Sequence, residues 1–191
     1  MGEVSAEGYV LIVADYRHIP PKHKLETPLE PGVAITYVDD GVAVVDHVRS
    51  LPYVDPARIH VYGVSLGGNL VLHLIGRTQV RAAVLGAPAA ASFLGAVMAP
   101  GADPSDSRTR WIGARIDAGM ARQNIEPIRC PILILVGEAD GLIHIDRPLY
   151  FLLEKAGKTV RMEVYENGYH DFCIGPQGHQ GYHQPLTHVR H

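Results

Sequence analysis

The chain has 191 residues, of which 47% are hydrophobic and 19% are charged, and its formal net charge is -3 at pH 7. A chain of this length can bury roughly two-thirds of its unfolded surface in one core, so we expect a single globular domain covering residues 1–191. The slightly acidic balance gives no reason to expect a nucleic-acid or anionic-membrane partner, because both favour a basic surface.

We expect no targeting or membrane segment. No apolar run approaches the roughly 20 residues that cross a bilayer, and the first residues lack the charged start and cleavage site of a signal peptide. We therefore expect a cytoplasmic protein. Cys130 and Cys173 lie far apart and match no CxxC pattern, which favours two reduced thiols over a disulfide.

Five short runs predict β-strands. Four of them, residues 9–14, 59–62, 80–85 and 132–136, are rich in β-branched and apolar residues and are followed by Gly, Asp or Pro, and several of the four are apolar at consecutive positions. This pattern is typical of buried parallel strands. The fifth run, residues 160–165, alternates in polarity, which indicates a strand nearer the edge of the sheet.

Three helices are predicted between the strands by apolar residues at spacings of three and four. The first begins after Pro31 and Gly32, and the second begins directly after Ser65. The third covers residues 143–155 and ends at Gly157 as a C-terminal cap. The inner faces of the first two helices are formed by Ile35, Val38, Val42 and Val45, and by Leu70, Leu74 and Ile75. Strands that alternate with helices predict an α/β fold, a mostly parallel sheet with helices on both faces.

The segment 87–129 is less regular than the rest. It is rich in Ala, Gly and Pro at first and becomes helix-like from about Trp111 to Gln123. It forms either a small cap over a site or the crossover between two strands, and the second interpretation is favoured.

The strongest motif is IHVYGVSLGG at residues 59–68, a strand that runs into Gly-x-Ser-x-Gly and then a helix. Such a turn holds the serine in strained backbone geometry with its hydroxyl raised above the sheet. Glycines on both sides would let the chain segments pass without a Cβ clash. The pattern predicts Ser65 as a nucleophile, in an elbow formed with Gly63, Gly67 and Gly68.

A serine hydroxyl is a poor nucleophile until a histidine takes its proton, and a third group must orient that histidine. Asp140 ends the run PILILVGEAD, and His170 follows the next predicted strand. The order Ser, Asp, His is the order that accompanies this elbow. Asp140 could instead be only a helix N-cap, with Glu138 or Asp146 in its place, and His144 is the alternative base.

These features resemble the α/β-hydrolase superfamily, particularly the dienelactone hydrolase and prolyl oligopeptidase-like esterases. The phrases GYVLIVADYR, YVDPARIHVYGVSLGG, PILILVGEAD and GYHDF carry the resemblance, which covers residues 8–172. It implies Ser65, Asp140 and His170 as the catalytic residues and the backbone N–H of Leu66 as one oxyanion donor. In dienelactone hydrolases proper the nucleophile is Cys, so the serine argues against that particular activity.

The resemblance is incomplete at the start of the chain. In the family, a strand ending in a His-Gly-type loop comes before the segment that residues 9–14 resemble, and this loop donates the second oxyanion N–H. We therefore expect an N-terminally truncated fold. Loss of one oxyanion donor lowers turnover by about 10²- to 10³-fold in related chemistry, so we expect this chain to turn over more slowly than an enzyme with both donors. That strand would lie between residues 9–14 and 59–62. A longer protein, a homo-oligomer or partner chain that supplies a strand, or direct pairing of the two flanking strands would close the gap.

Two further groups of residues have open roles. Arg17, Trp111 and Tyr169 are candidates for a substrate pocket, with a structural role as the alternative for each. Three histidines near the end of the chain match no standard metal-ligand spacing, so a solvated terminus is favoured over a metal site: His179, His183 and His188.

The sequence thus predicts hydrolysis of a small carboxylic ester through an acyl-enzyme, without a metal or an organic cofactor. Ser65 attacks the carbonyl, His170 takes the proton and returns it to the leaving alcohol, and Asp140 holds the imidazole. One alternative is a serine peptidase of the prolyl oligopeptidase type. The other is a non-catalytic hydrolase-like protein kept for binding or assembly.

Overall fold

The structure is a computed structural model that describes residues 8–14 and 31–170, with the side chains described from Tyr37 onward within the first helix. In this part of the chain, four strands form one sheet in the order β1-β2-β3-β4, and every neighbouring pair is parallel. The strands are β1 (His60–Val64), β2 (Ala82–Gly86), β3 (Ile132–Gly137) and β4 (Val160–Tyr165). The helices are α1 (Pro31–Ser50), α2 (Leu66–Leu74), α3 (Ala91–Leu94), α4 (Ala118–Ile125) and α5 (Ile143–Lys155), with a 3₁₀ turn at Pro56–Arg58.

The predicted α/β architecture with a parallel sheet is confirmed. The strand over residues 160–165 and the helix over residues 143–155 have the predicted bounds. Gly157 ends α5 with a φ of 70°. Its N–H donates to the carbonyl of Glu154 at 2.9 Å, and the next N–H donates to the carbonyl of Leu153 at 3.0 Å. A left-handed residue at this position favours glycine, as the sequence indicated.

The parallel register brings the segments after the strands to one edge of the sheet. Val64 at the end of β1 pairs with Gly86 at the end of β2, and Gly137 at the end of β3 pairs with Tyr165 at the end of β4. Side chains that follow different strands therefore meet at this carboxyl edge although they lie far apart in sequence.

The main hydrophobic core lies between the sheet and the helices. Leu72 of α2, Leu85 of β2, Ile134 of β3 and Leu153 of α5 are all fully buried in it. A second, smaller cluster joins α1 to the sheet through Val45, with Ile59 and Leu74. The predicted inner face of α1 is confirmed at Val38 and Val45, which are 4% and 5% exposed.

The prediction of a strand at residues 9–14 is wrong. Among the described residues, these form no secondary structure, and the five side chains from Tyr9 to Val13 are between 41% and 69% exposed. An extended segment becomes a strand only when a neighbour accepts its backbone hydrogen bonds. In the described part of the chain, β1 pairs with β2 alone, so the direct pairing that could have closed the gap is not found. A strand from a longer protein or from another chain stays a prediction.

The helix predicted from about Trp111 begins later, at Ala118. Asp117 caps it, since one carboxylate oxygen accepts from the N–H groups of Gly119 and Met120 at 2.9 Å each. Trp111 lies in a run of turns. The prediction was wrong there because the cap, rather than the apolar pattern before it, sets the start of the helix. A cap function for residues 87–129 stays a prediction.

Two smaller predictions concern Cys130 and membrane segments. Cys130 is buried and has a free thiol, whereas Cys173 lies outside the described residues. Among the helices that the structure describes, none combines the length and the apolar character that spanning a bilayer demands.

The helix α5 allows a matched test of the core. We expect Leu153→Ala to lower the free energy of unfolding by about 2–5 kcal/mol, because this side chain is fully buried and its removal leaves a cavity. Phe151→Ala changes a larger side chain on the same helix that is 60% exposed, and it should cost under about 1 kcal/mol. Urea unfolding of the two variants and the parent chain measures both, and equal losses would contradict the assignment of the core.

Candidate active site

Ser65 lies between β1 and α2 in a strained backbone conformation. Its φ is 54° and its ψ is -116°, a region that non-glycine residues rarely occupy and that costs about 1–3 kcal/mol. Backbone hydrogen bonds hold it there. Its N–H donates to the carbonyl of Gly86 at 2.8 Å, and its carbonyl accepts from Asn69 and Ala89 at 3.0 and 2.9 Å. The serine is therefore fixed against the end of β2.

The glycines of the elbow have different steric roles. A Cβ at Gly63 would lie 2.3 Å from the carbonyl oxygen of Gly67, and one at Gly68 would lie 2.9 Å from the Cα of Pro88. A Cβ at Gly67 would meet nothing within 4 Å. The expectation of a clash on both sides of the serine therefore holds for Gly63 and is wrong for Gly67. The second close approach is at Gly68, where α2 passes the loop after β2.

The structure brings Ser65, His170 and Asp140 together from three segments of the chain. The Nε2 of His170 lies 2.9 Å from the Oγ of Ser65, and its Nδ1 lies 2.8 Å from the Oδ2 of Asp140. The second carboxylate oxygen of Asp140 accepts from the N–H of Leu142 at 2.9 Å. The Asp140 side chain is 4% exposed and that of His170 is 45% exposed. The carboxylate is shielded, while the imidazole is open to solvent beside the serine.

A contact between two glycines joins the loops that carry Asp140 and His170. A Cβ at Gly137 would lie 2.1 Å from the carbonyl oxygen of Gly168, and the same oxygen accepts from the N–H of Ala139 at 2.9 Å. The loop after β3 and the loop after β4 are thus held backbone to backbone. Sequence analysis did not single out these glycines. The available signal was that each lies within three residues of a candidate site residue.

The alternative acids, Glu138 and Asp146, and the alternative base, His144, take no part in these hydrogen bonds. Both ring nitrogens of His170 are already in contact with Ser65 and Asp140. Glu138 and His144 are exposed. Asp146, on α5, is fully buried, and its two carboxylate oxygens have no hydrogen-bond partner among the described residues. Burial raises the pKa of the Asp146 carboxyl well above its usual value, and the nearby charge of Asp140 raises it further.

The proposed pocket residues have unlike surroundings. Tyr169 is 39% exposed, directly precedes His170, and has the guanidinium carbon of Arg108 at 5.5 Å from its ring centroid. Trp111 packs against the main core. Arg17 lies outside the described residues. Arg108 had no sequence signal, because it lies in a turn without periodicity.

The helix N-terminus after Ser65 supplies a donor. Leu66 is the first residue of α2, where a backbone N–H has no acceptor within the helix. Its place beside the serine suits an oxyanion donor. Within residues 8–14 and 31–170, no cluster of His, Cys, Asp or Glu could hold a metal ion. The terminal histidines lie outside these ranges.

Comparisons with known proteins find a matching family model and similar sequences. The model of the prolyl oligopeptidase family matches residues 3–188. Acylamino-acid-releasing enzyme 2 of Oryza sativa subsp. japonica is 25% identical over 191 residues, which cover 87% of this chain and 24% of that protein. The chain thus spans about a quarter of the length of this relative.

Solved structures with the same fold include esterases and peptidases. An esterase of the bacterial hormone-sensitive lipase family has a TM-score of 0.54 and 25% identity, over 82% of this chain and 55% of that one. Dipeptidyl peptidase 4 of Porphyromonas gingivalis has a TM-score of 0.56 and 22% identity, over 75% of this chain and 21% of that one. At 22% identity, the second likeness shows the α/β-hydrolase fold alone.

The elbow glycines provide a matched pair of substitutions. We expect Gly63→Ala to lower the free energy of unfolding by more than about 2 kcal/mol, because its Cβ would overlap a backbone carbonyl that cannot move without shifting α2. Gly67→Ala adds the same methyl group where no atom lies within 4 Å. It should change stability by less than about 1 kcal/mol. Thermal and urea unfolding of both variants tests this, and a tolerated alanine at 63 would count against it.

Asp146 predicts a pH dependence of stability. Its folded-state pKa lies above the unfolded value, so as pH rises above about 4 the unfolded carboxyl ionises while the buried one stays protonated. In that window the unfolded state binds fewer protons, and Asp146 lowers stability by about 1.4 kcal/mol per pH unit up to its folded pKa. Asp146→Asn should remove this slope, so that the variant gains on the parent chain between pH 4 and pH 7. Urea unfolding across this range measures the difference, and a gap that does not widen with pH would refute the assignment.

Proposed function

The chain belongs to the prolyl oligopeptidase family, a family of serine hydrolases, and from this premise we propose that it hydrolyses small carboxylic esters with Ser65, His170 and Asp140. The observation that carries the proposal is the unbroken hydrogen-bonded path from the Asp140 carboxylate through the imidazole to the Ser65 hydroxyl, with distances of 2.8 and 2.9 Å. Such a path is what activates an otherwise weak nucleophile.

The first step is acylation. His170 accepts the Ser65 proton at Nε2 as the serine oxygen attacks the ester carbonyl, and a tetrahedral intermediate forms. The buried carboxylate of Asp140 accepts from the Nδ1–H of the ring and stabilises the imidazolium. The proton then passes from Nε2 to the leaving alcohol, which departs and leaves an acyl group on Ser65. In the second step the same nitrogen takes a proton from water as the water oxygen attacks the acyl carbonyl. The bond from the carbonyl carbon to the Ser65 oxygen then breaks, the proton passes from Nε2 to that oxygen, and the acid is released.

Negative charge develops on the carbonyl oxygen during the reaction, and the N-terminus of α2 would stabilise it. The N–H of Leu66 and the positive end of the α2 dipole would stabilise the oxyanion. The fixed backbone of Ser65 supports this role, because a preorganised donor loses little free energy to reorganisation during the reaction.

Peptide hydrolysis is the second candidate, and the relatives favour it. The Oryza protein is named an acylamino-acid-releasing enzyme, and one solved neighbour is a dipeptidyl peptidase. The chemistry at Ser65 would be the same, with an amine in place of an alcohol as the leaving group. The two functions therefore differ in the substrate that reaches the site.

Labelling with a fluorophosphonate probe tests whether Ser65 is activated. We expect rapid labelling of the parent chain and no labelling of Ser65→Ala, because only a serine whose hydroxyl is hydrogen-bonded to a base reacts quickly. Asp140→Asn should slow turnover by about 10⁴-fold while the fold is retained, since the ring loses its orienting carboxylate. Ser92→Ala is a control, because the Ser92 hydroxyl bonds to the Asn69 side chain and not to a base, and it should label as the parent chain does. Labelling that persists in Ser65→Ala refutes the assignment, and a parent chain that never labels supports a non-catalytic role.

Paired substrates separate the two candidate functions. We expect p-nitrophenyl esters of short acids to be hydrolysed with a higher kcat/KM than acylated or Pro-containing peptide p-nitroanilides. Both substrate classes release a chromophore, so one spectrophotometric assay compares them. A reversed preference would favour the peptidase, and both activities should disappear in Ser65→Ala.

A further inference from the structure

A cleft lined by four arginines lies at the opposite edge of the sheet from Ser65. It has a volume of about 520 Å³. Its arginines come from the end of α1, from the loop between α2 and β2, and from the loop before β3: Arg49, Arg77, Arg81 and Arg129. These segments precede strands, whereas the site residues follow strands. With β2 five residues long and a rise of about 3.3 Å per residue, the two edges are about 17 Å apart.

The positive charge of the cleft is only partly neutralised. Arg49 forms an ion pair with Asp46 at 2.7 Å, and Arg77 forms one with Asp39 at 2.6 Å. The described residues that line the cleft include no acidic side chain. In the described part of the chain, Arg81 forms no hydrogen bond or ion pair through its side chain, and the Nη1 of Arg129 donates only to carbonyl oxygens.

Two further observations indicate that cationic groups are crowded beside the cleft. The ammonium of Lys158 and the guanidinium of Arg129 donate to the same two carbonyl oxygens, those of Glu126 and Ile128. Burial and the neighbouring charge of Arg129 lower the pKa of Lys158. The charge of Glu126 offsets this lowering only in part, so an added anion would relieve the remaining repulsion.

We propose that this cleft binds a compact polyanion with linked phosphate groups. Guanidinium groups match phosphate oxygens in paired hydrogen bonds, and two arginines without a carboxylate partner can neutralise two negative charges. The volume is that of a small-molecule site. The apolar lining is limited to small or short side chains such as Pro56, Ala57 and Val80, so the phosphate groups provide most of the recognition. This site is independent of the hydrolase activity.

Titration of the 191-residue chain with pyrophosphate and tripolyphosphate tests the proposal. We expect saturable binding by calorimetry and a rise in Tm with each anion, and no such rise with NaCl at matched ionic strength. Arg81→Gln should weaken tripolyphosphate binding by about tenfold, since it removes a guanidinium that the fold does not use. Arg129→Gln should weaken it similarly. Arg122→Gln removes the same charge from the exposed face of α4, away from the cleft, and should bind as the parent chain does.

Two comparisons locate the site and identify the source of the phosphate groups. Ser65→Ala should bind tripolyphosphate with the affinity of the parent chain, because the ligand lies at the other edge of the sheet. Equal binding of ATP and tripolyphosphate would identify the phosphate chain as the ligand, and tighter binding of ATP would identify a nucleotide. The proposal is overturned if binding does not saturate, if NaCl reproduces the effect, if Arg81→Gln binds unchanged, or if Ser65→Ala abolishes binding.

Discussion

The close passage of the α2 backbone over Gly63 is the constraint on which the candidate site depends. A Cβ at Gly63 would lie 2.3 Å from the carbonyl oxygen of Gly67. Because glycine has no Cβ, α2 can pass this close and begin directly after Ser65. That leaves Ser65 with a φ of 54° and a ψ of -116°, and backbone hydrogen bonds to neighbouring segments hold it there. The stability of the whole fold offsets this local strain, which is common at residues that a reaction needs in one orientation.

The parallel sheet brings Asp140 and His170 to the same edge as Ser65. Parallel strands carry the chain back to the same edge each time, and the Gly137–Gly168 contact fixes two of the resulting loops to each other. The carboxylate of Asp140 is shielded and the imidazole is partly open, so a substrate can reach the serine while water has little access to the acid. The segments that precede the parallel strands meet at the opposite edge of the sheet in the same way, and these segments carry the arginines of the cleft.

Local patterns in the sequence predicted much of this arrangement. The elbow, the acid after β3 and the histidine after β4 follow from motifs of a few residues with clear strand and helix flanks. The strand at residues 9–14 failed because a strand depends on a neighbour, which local hydrophobicity does not report. The Gly137–Gly168 contact and the arginine cleft could not be predicted, because their members are between 4 and 80 residues apart along the chain without any period. Their proximity is a property of the sheet register.

The exposed segment from Tyr9 to Val13 has a consequence for handling the protein. Five successive apolar side chains face water here, and their backbone has no ladder partner among the residues that the structure describes. Together these two properties promote intermolecular strand pairing. We therefore expect self-association through this segment at concentrations that leave the folded core intact. Colloidal behaviour and conformational stability should accordingly respond to different substitutions, since charges placed in this segment improve solubility without altering the melting of the sheet.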